Sequence, residues 1–368
     1  MSELSPLMNK RFSPPEQSTF EARYEAQKIA FAPVVFQCVR HAWKQGMLQA
    51  LAEKGAHGCS VQALADTGRW SEYALKIVLE SCLSAGVVQR VEGRYVLDKA
   101  GYCVLTDAIT QANFNFVADV CYAGLADLDA SLERQHPVGL KALGDWPTVY
   151  EGLSQMPEPA KSSWFAFDHL YSDTSFPLIL HDVMASAPRH IMDIGANTGK
   201  FSLAVLQHCD AVQMHLVDLP QQLATAQATL EQAGLAARAH CHPVNLLDAG
   251  AALPGGMDVV WMSQFLSCFS ENTIEHILRR VAASLNPDGQ VLILDTFWDR
   301  QRYDIAAYCL INTSPYFTAL ASGNSKVYES CDYVRLCARA GLELVSTHDG
   351  IGYCHSLMRF ARRQGADT

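Results

Sequence analysis

The sequence predicts an α/β protein: a Rossmann-like, doubly wound C-terminal sheet preceded by a mainly α winged-helix domain. Three observations predict it. From Arg189 onward, short apolar runs alternate with helical stretches, at His190–Ile194, Met214–Val217, Met257–Met262 and Gln290–Leu294, the rhythm of βαβ units. The first run leads into an acidic, small-residue loop, Asp193-Ile194-Gly195-Ala196-Asn197-Thr198-Gly199. The first 110 residues read helix, helix, helix, hairpin. The expected domains are therefore 20–110, a helical linker that lines a pocket over 111–186, and a sheet domain over 187–363.

In the N-terminal domain, Val35, Cys38, Val39, Ala42, Trp43, Met47, Ala50 and Leu51 fall at helical spacing and predict one long apolar face. Such a face exceeds the needs of a small domain and predicts a homodimer. Ser60 and Ser71 are placed to cap the next two helices. Val87–Val91 and Tyr95–Leu97 flank Glu92-Gly93-Arg94, a hairpin signal. A winged helix invites a DNA-binding reading. Between Ser60 and Ala100, however, five acidic residues balance five basic ones, and a phosphate-gripping surface needs a surplus of Lys and Arg. No nucleic-acid partner is expected.

The whole composition agrees. The 368 residues carry a net charge of −10, with 49% apolar and 18% charged residues, a globular balance. No apolar run approaches the roughly 20 residues that cross a bilayer, so no membrane partner is expected. Met1–Gln17 is polar, contains proline and lacks a signal-peptide core; it predicts a flexible start. Twelve cysteines without a CxxC pair read as reduced thiols of a cytoplasmic protein, with no metal site.

The loop after the first strand carries the chemistry. Gly195 and Gly199 let the backbone approach a ligand, and the following helix start offers free N–H groups. Asp193 at the strand end attracts a cationic, methionine-type group and repels a pyrophosphate. Asn197 stands where glycine is usual and tolerates left-handed backbone. Asp218 lies 19 residues after Gly199, at the end of the next strand. There it can accept the ribose hydroxyls of an adenosine or cap the following helix.

These residues, with Val217-Asp218-Leu219-Pro220, resemble the class I S-adenosylmethionine-dependent O-methyltransferases with an N-terminal winged-helix dimerisation domain. Plant caffeate-type and bacterial small-molecule enzymes belong to that family, and the resemblance covers about residues 25–362. It implies S-adenosylmethionine as cofactor, a homodimer and a small aromatic acceptor, free or carrier-bound, methylated on oxygen or ring carbon. It also implies cofactor contacts at Leu219, Asn245, Leu246, Ser263 and Gln264, with Asp248 a substitute for Asn245. The family's catalytic His-Asp pair falls on Ser267 and Cys268. That leaves these two as substrate-binding residues and the base unassigned within Trp261–Glu271. The segment Ser263-Gln264-Phe265-Leu266-Ser267-Cys268-Phe269-Ser270 resembles methyltransferases found with aryl-polyene-type pigment synthesis. Replacement bases are His169, within Phe167–Asp173, then Asp295 and His355. Tyr308, Asn312, Tyr316 and Phe317 are expected to wall the acceptor pocket. Two other functions fit parts of this pattern: a cofactor-sensing winged-helix regulator, and a member of the fold that catalyses a reaction other than methylation.

Overall fold

The structure is a computed structural model; it describes residues 17–363 except Asp173 and Ala249. The flexible start expected for Met1–Gln17 therefore lies outside the described residues, Gln17 excepted. The chain divides between Ala118 and Asp119 into two compact units.

The first unit begins with α1 (Thr19–Lys44), closed by a capping box between Ser18 and Glu21. Then come α2 (Met47–Lys54), α3 (Val61–Ala65) and α4 (Glu72–Ser84). Ser60 Oγ accepts from the Ala63 N–H at 3.2 Å and Ser71 Oγ from the Ala74 N–H at 3.1 Å, as the sequence predicts. The hairpin pairs β1 (Val88–Val91) with β2 (Arg94–Leu97). Glu92 and Gly93 both have positive φ, 50° and 79°, the requirement of a two-residue type I′ turn. Helices α5 (Lys99–Thr106) and α6 (Ala108–Phe116) complete the unit.

One expectation is corrected here. The apolar face from Val35 to Leu51 is not continuous: the chain breaks at Gly46, φ 78°, between α1 and α2. Val39, Ala42, Met47, Leu48 and Leu51 are buried in the unit's own core. The exposed apolar side chains of α1 lie earlier, at Phe20, Tyr24, Ile29, Phe31 and Val34.

The second unit opens with four helices: α7 (Leu128–Arg134), α8 (Val149–Gly152), α9 (Ala160–Ser172) and α10 (Phe176–Met184). The sheet follows: β3 (His190–Ile194), α11 (Lys200–His208), β4 (Gln213–Asp218), α12 (Pro220–Gln232), β5 (Ala239–Pro243), β6 (Met257–Ser263), α13 (Glu271–Ser284), β7 (Leu285–Asp295), α14 (Asp304–Tyr316), α15 (Ser330–Arg339), β8 (Leu342–Ile351) and β9 (His355–Arg362). The strand order is β5-β4-β3-β6-β7-β9-β8. Neighbours from β5 to β7 are parallel, while β9 is antiparallel to both β7 and β8. Two observed strands have no counterpart in the sequence reading, β5 and β8. Strand β5 reads Ala-His-Cys-His-Pro, with too few apolar positions to show a period.

Strand β3 pairs β4 on one side and β6 on the other, so the chain reverses its winding there. At such a switch point the carboxyl ends of two strands diverge and leave a crevice for a ligand. One face of the sheet packs Met192, Ile194, Val260, Met262 and Ile293 beneath α13 and α15. The other packs Ile191, Leu216, Trp261 and Leu292 beneath α10 to α12.

Candidate active site

The crevice between β3 and β6 is built by backbone. Gly195 (φ 77°), Asn197 (φ 48°) and Gly199 (φ 78°) are all left-handed, so the loop curls back on itself. A Cβ on Gly195 would run into the Phe265 ring, and one on Gly199 would meet Ala226 of α12 at 3.0 Å. Both positions thus need glycine for space as well as for φ. The Asn197 N–H donates to Asp218 Oδ2 at 2.8 Å and the Leu219 N–H to Oδ1 at 2.7 Å. These two bonds fix the carboxylate at the end of β4, while burial pushes it above its ordinary range.

Asp193 sits differently from the sequence expectation of an open acid. It is 2% exposed and accepts a bond from Ser202 Oγ of α11 at 2.6 Å. Burial pushes it up to about 7; the Ser202 bond opposes the rise and the charge of Asp218 adds to it. Asp193 therefore works from behind the loop.

The β6 end supplies the opposite wall. Gln264 (φ 48°) donates its N–H to the Leu294 carbonyl at 2.8 Å and turns the chain away from the sheet. Ser263 Oγ and Asn197 Oδ1 are buried without a hydrogen-bond partner. Leaving such a group unsatisfied costs about 1–3 kcal/mol, and a ligand with polar edges offsets it. The residues present fit a ligand with polar edges: Asn197 Oδ1 and Ser263 Oγ lack partners, and the Asp218 carboxylate keeps accepting capacity beyond its two N–H bonds. Beyond β5, Leu246 is buried, whereas Asn245 and Asp248 are exposed. Asn245 Oδ1 accepts from the Leu247 N–H at 3.0 Å. Asp248 Oδ1 accepts from the Gly250 N–H at 2.9 Å. Arg280, which sequence reasoning missed, clamps this loop from α13 through the carbonyls of Leu246 (2.6 Å), Asp248 (3.0 Å) and Ala251 (3.0 Å).

Aromatic side chains follow from here, beginning with Phe265, whose ring lies against Gly195. Tyr316 Oη accepts from Trp164 Nε1 at 2.7 Å, and Phe317 packs edge-on against Tyr316 at 5.3 Å. Phe265 meets Phe269 edge-on at 4.9 Å. Ser267 is buried. The Cys268 thiol reaches the Gln264 carbonyl at 3.9 Å and burial pushes it up to about 12, so it is an inert thiol rather than a nucleophile. Tyr150, from α8, has a buried hydroxyl that interacts with the Cys268 thiol. Tyr150 has no signal in the sequence, because a lone tyrosine between prolines carries no pattern.

Several expected site residues fall elsewhere. Tyr308 is 59% exposed and Asn312 is exposed, its Nδ2 donating to the Tyr308 carbonyl at 2.8 Å. Both lie nearer the start of α14 than Tyr316, on exposed turns of the helix. His355 is 0% exposed; its Nδ1 meets Ser175 Oγ at 3.0 Å and burial pushes it down to about 4. It is a neutral core imidazole joining β9 to the start of α10, with Nε2 buried and unpaired. Asp295 is buried, with Oδ2 accepting from the Tyr333 hydroxyl at 2.7 Å and Oδ1 from the Thr296 N–H at 2.8 Å; burial pushes it up to about 6. Its geometry is that of an anchor for α15. His169 lies with Nδ1 3.2 Å from Lys200 Nζ and its ring 5.8 Å from that of Phe165. It faces the first residue of α11, at the mouth of the Gly199 turn.

The antiparallel β9 interposed between β7 and β8, and the loop over the β3–β6 switch, define the class I methyltransferase fold. Residues 23–95 match the Dimerisation2-like domain and residues 174–343 the O-methyltransferase domain. The chain belongs to the S-adenosylmethionine-dependent O-methyltransferases that join these two domains. Among characterised relatives, demethylspheroidene O-methyltransferase of Cereibacter sphaeroides is 28% identical over 239 residues, 64% of this chain and 61% of the relative. This chain thus spans about three-fifths of that relative. Aclacinomycin 10-hydroxylase RdmB of Streptomyces purpurascens is 33% identical over 110 residues, 30% of this chain and 29% of that one. Among solved structures, the apo S-adenosylmethionine-dependent methyltransferase SibL superposes with a TM-score of 0.68 at 22% identity, covering 92% of this chain and 98% of that one. The O-methyltransferase NcsB1 from neocarzinostatin biosynthesis, with S-adenosylmethionine and 2-hydroxy-5-methyl naphthoic acid, superposes with a TM-score of 0.59 at 20% identity, covering 89% and 95%.

Proposed function

We propose that the protein transfers a methyl group from S-adenosylmethionine to a hydroxyl oxygen or ring carbon of a small aromatic acceptor, in secondary-metabolite or pigment biosynthesis. The observation that carries this reading is the crevice itself: the left-handed Gly195–Gly199 turn, Asp218 held at the end of β4, and the Phe265 ring against Gly195, with Phe269 edge-on to it. When bound, the cofactor supplies an electrophilic methyl on a sulfonium. Asp218 holds the ribose, the glycine turns admit the methionine end, and Leu246 packs by the adenine with Asn245 at its edge. Planar side chains orient a planar acceptor and exclude water, and such positioning supplies much of the rate of a displacement. Free and carrier-bound acceptors both fit this reading, aryl-polyene-type pigment precursors among them.

The protein works in the cytoplasm as a homodimer, joined through the exposed α1 side chains Phe20, Tyr24, Phe31 and Val34. Sedimentation at micromolar concentration showing a monomer would remove that part. A second reading has its own support: Ser267 and Cys268 replace the family's His and Asp, and a matched relative is named a hydroxylase. Incubation with labelled S-adenosylmethionine and a panel of hydroxybenzoates, hydroxycinnamates and hydroxynaphthoates separates the two. A methylated product, located by mass spectrometry, is expected; cofactor binding with no transfer to any acceptor would favour the second reading.

A further inference from the structure

We propose that Asp168 is the proton acceptor for the acceptor hydroxyl, a role that rests on the O-methyl-transfer reading above. Helix α9 presents two different faces at this point. Residues four apart lie on one side of a helix, while neighbours in sequence point about 100° apart. Trp164 and Asp168 are four apart, and the Trp164 side is fixed by its 2.7 Å bond to Tyr316 Oη in the aromatic cluster. Phe165 and His169 are also four apart, stacked on each other, and their side is fixed by the 3.2 Å approach of His169 Nδ1 to Lys200 Nζ. The helix thus turns His169 to the rim of the cofactor loop and Asp168 to the acceptor cluster.

The surroundings of Asp168 agree. Its charge acts on three groups of that cluster, Tyr150, Tyr316 and Cys268. All three are held in their neutral forms, chiefly by burial, with Asp168 adding to the effect. The Tyr150 hydroxyl in the same cluster is buried beside the Cys268 thiol, a polar group for a bound acceptor to meet. The proton balance is favourable. As the acceptor oxygen bonds to the methyl carbon, the carbon–sulfur bond breaks with both electrons left on sulfur, and the hydroxyl proton passes to the Asp168 carboxylate. One positive and one negative charge disappear from a buried site, which relieves the cost of keeping them there.

The test uses the full chain saturated with S-adenosylhomocysteine and para-nitrophenol as a chromogenic acceptor probe. A carboxylate beside the probe's hydroxyl holds it as the neutral phenol. Asp168→Asn should lower the apparent pKa of the bound probe by about one unit or more, with S-adenosylmethionine affinity by calorimetry unchanged. Asp168→Glu should restore the wild-type ionisation, which guards against a folding artefact in the amide variant. His169→Ala should leave it unmoved. An unshifted probe in Asp168→Asn, a shift in His169→Ala instead, or a wild-type complex that takes up no para-nitrophenol would overturn the assignment. Failure of the broader reading looks different: wild-type protein would then bind no S-adenosylmethionine at all.

Discussion

On the cofactor side of the site, Asp193, Gly195, Asn197 and Gly199 come from one stretch of seven residues, and Asp218 reaches them through the Asn197 N–H. On the acceptor side, Tyr150, Asp168, Cys268 and Tyr316 come from four separate segments. The first half is made of backbone turns, whose requirements are written locally as glycine and a strand-ending acid. The second is made of side chains that meet only after α8, α9 and α14 have packed. Cofactor geometry is thereby tied to the sheet, while the acceptor pocket is free to vary with helix packing. Substitutions on the two sides should separate cleanly into losses of cofactor affinity and losses of acceptor handling.

The largest expected effect is on the cofactor side. Gly195→Val places a branched side chain at φ 77° and against the Phe265 ring. A left-handed β-branched residue costs about 1–2 kcal/mol or more before any collision, and the collision adds to it. The variant should lose at least about tenfold in S-adenosylmethionine affinity, read by calorimetry. Full affinity in a folded Gly195→Val protein would show that the turn does not shape the crevice.

A comparable effect belongs to neither side. His355 is pushed down to about 4 from an ordinary 6.5, so the folded protein resists a proton that the unfolded chain accepts. Its penalty appears as pH falls below the unfolded value and is complete below about 4. One pKa unit is worth about 1.4 kcal/mol, so the stability difference between wild type and His355→Leu should shift by up to about 3 kcal/mol against wild type over that window. Denaturant titrations of both proteins at several pH values check it; a constant difference would mean that His355 is open to solvent.

Asp193 gives a smaller, titratable signature on the cofactor side. It is held up near 7 in the free protein, and a cationic ligand favours its ionised form. Binding should therefore release a proton around neutral pH, and affinity should rise as pH increases through that value and then level. Calorimetry in buffers of different ionisation enthalpy reads the proton directly. Uptake of a proton, or none, would place Asp193 out of electrostatic reach of the cofactor.

The smallest effect is on the acceptor side. Tyr150→Phe removes a buried hydroxyl whose neighbour is the weakly bonding Cys268 thiol, so folding stability should change little. Binding of para-nitrophenol should weaken by about 0.5–1.5 kcal/mol, with cofactor affinity intact. Loss of cofactor affinity in this variant would dissolve the separation between the two halves.

The same contrast explains what could be read in advance. The strands β3, β4, β6 and β7 and the caps at Ser60 and Ser71 follow from local period and capping chemistry, and each forms where expected. Strand β5 was not legible, because a half-exposed edge strand containing histidines and proline has no apolar alternation. The expected face from Val35 to Leu51 failed because periodicity is blind to the break at Gly46. His355 was a reasonable candidate by residue type, yet burial and Ser175 make it a core group. Tyr308 and Tyr316 are alike in sequence, and their positions along α14, one near its exposed start and one at its buried end, put one in solvent and the other in the cluster. Arg280 and Tyr150 needed the tertiary fold to appear at all.

The central claim is that the Asp193–Gly199 turn and Asp218 form an S-adenosylmethionine site. Calorimetric titration of wild type and Asp218→Ala with S-adenosylmethionine and S-adenosylhomocysteine tests it most directly. The wild type should bind in the micromolar range or tighter, about −8 kcal/mol. The variant should bind about 1–3 kcal/mol more weakly, because the ribose hydroxyls lose a charged acceptor. Equal affinity in the two proteins, or no binding by the wild type, would contradict the account.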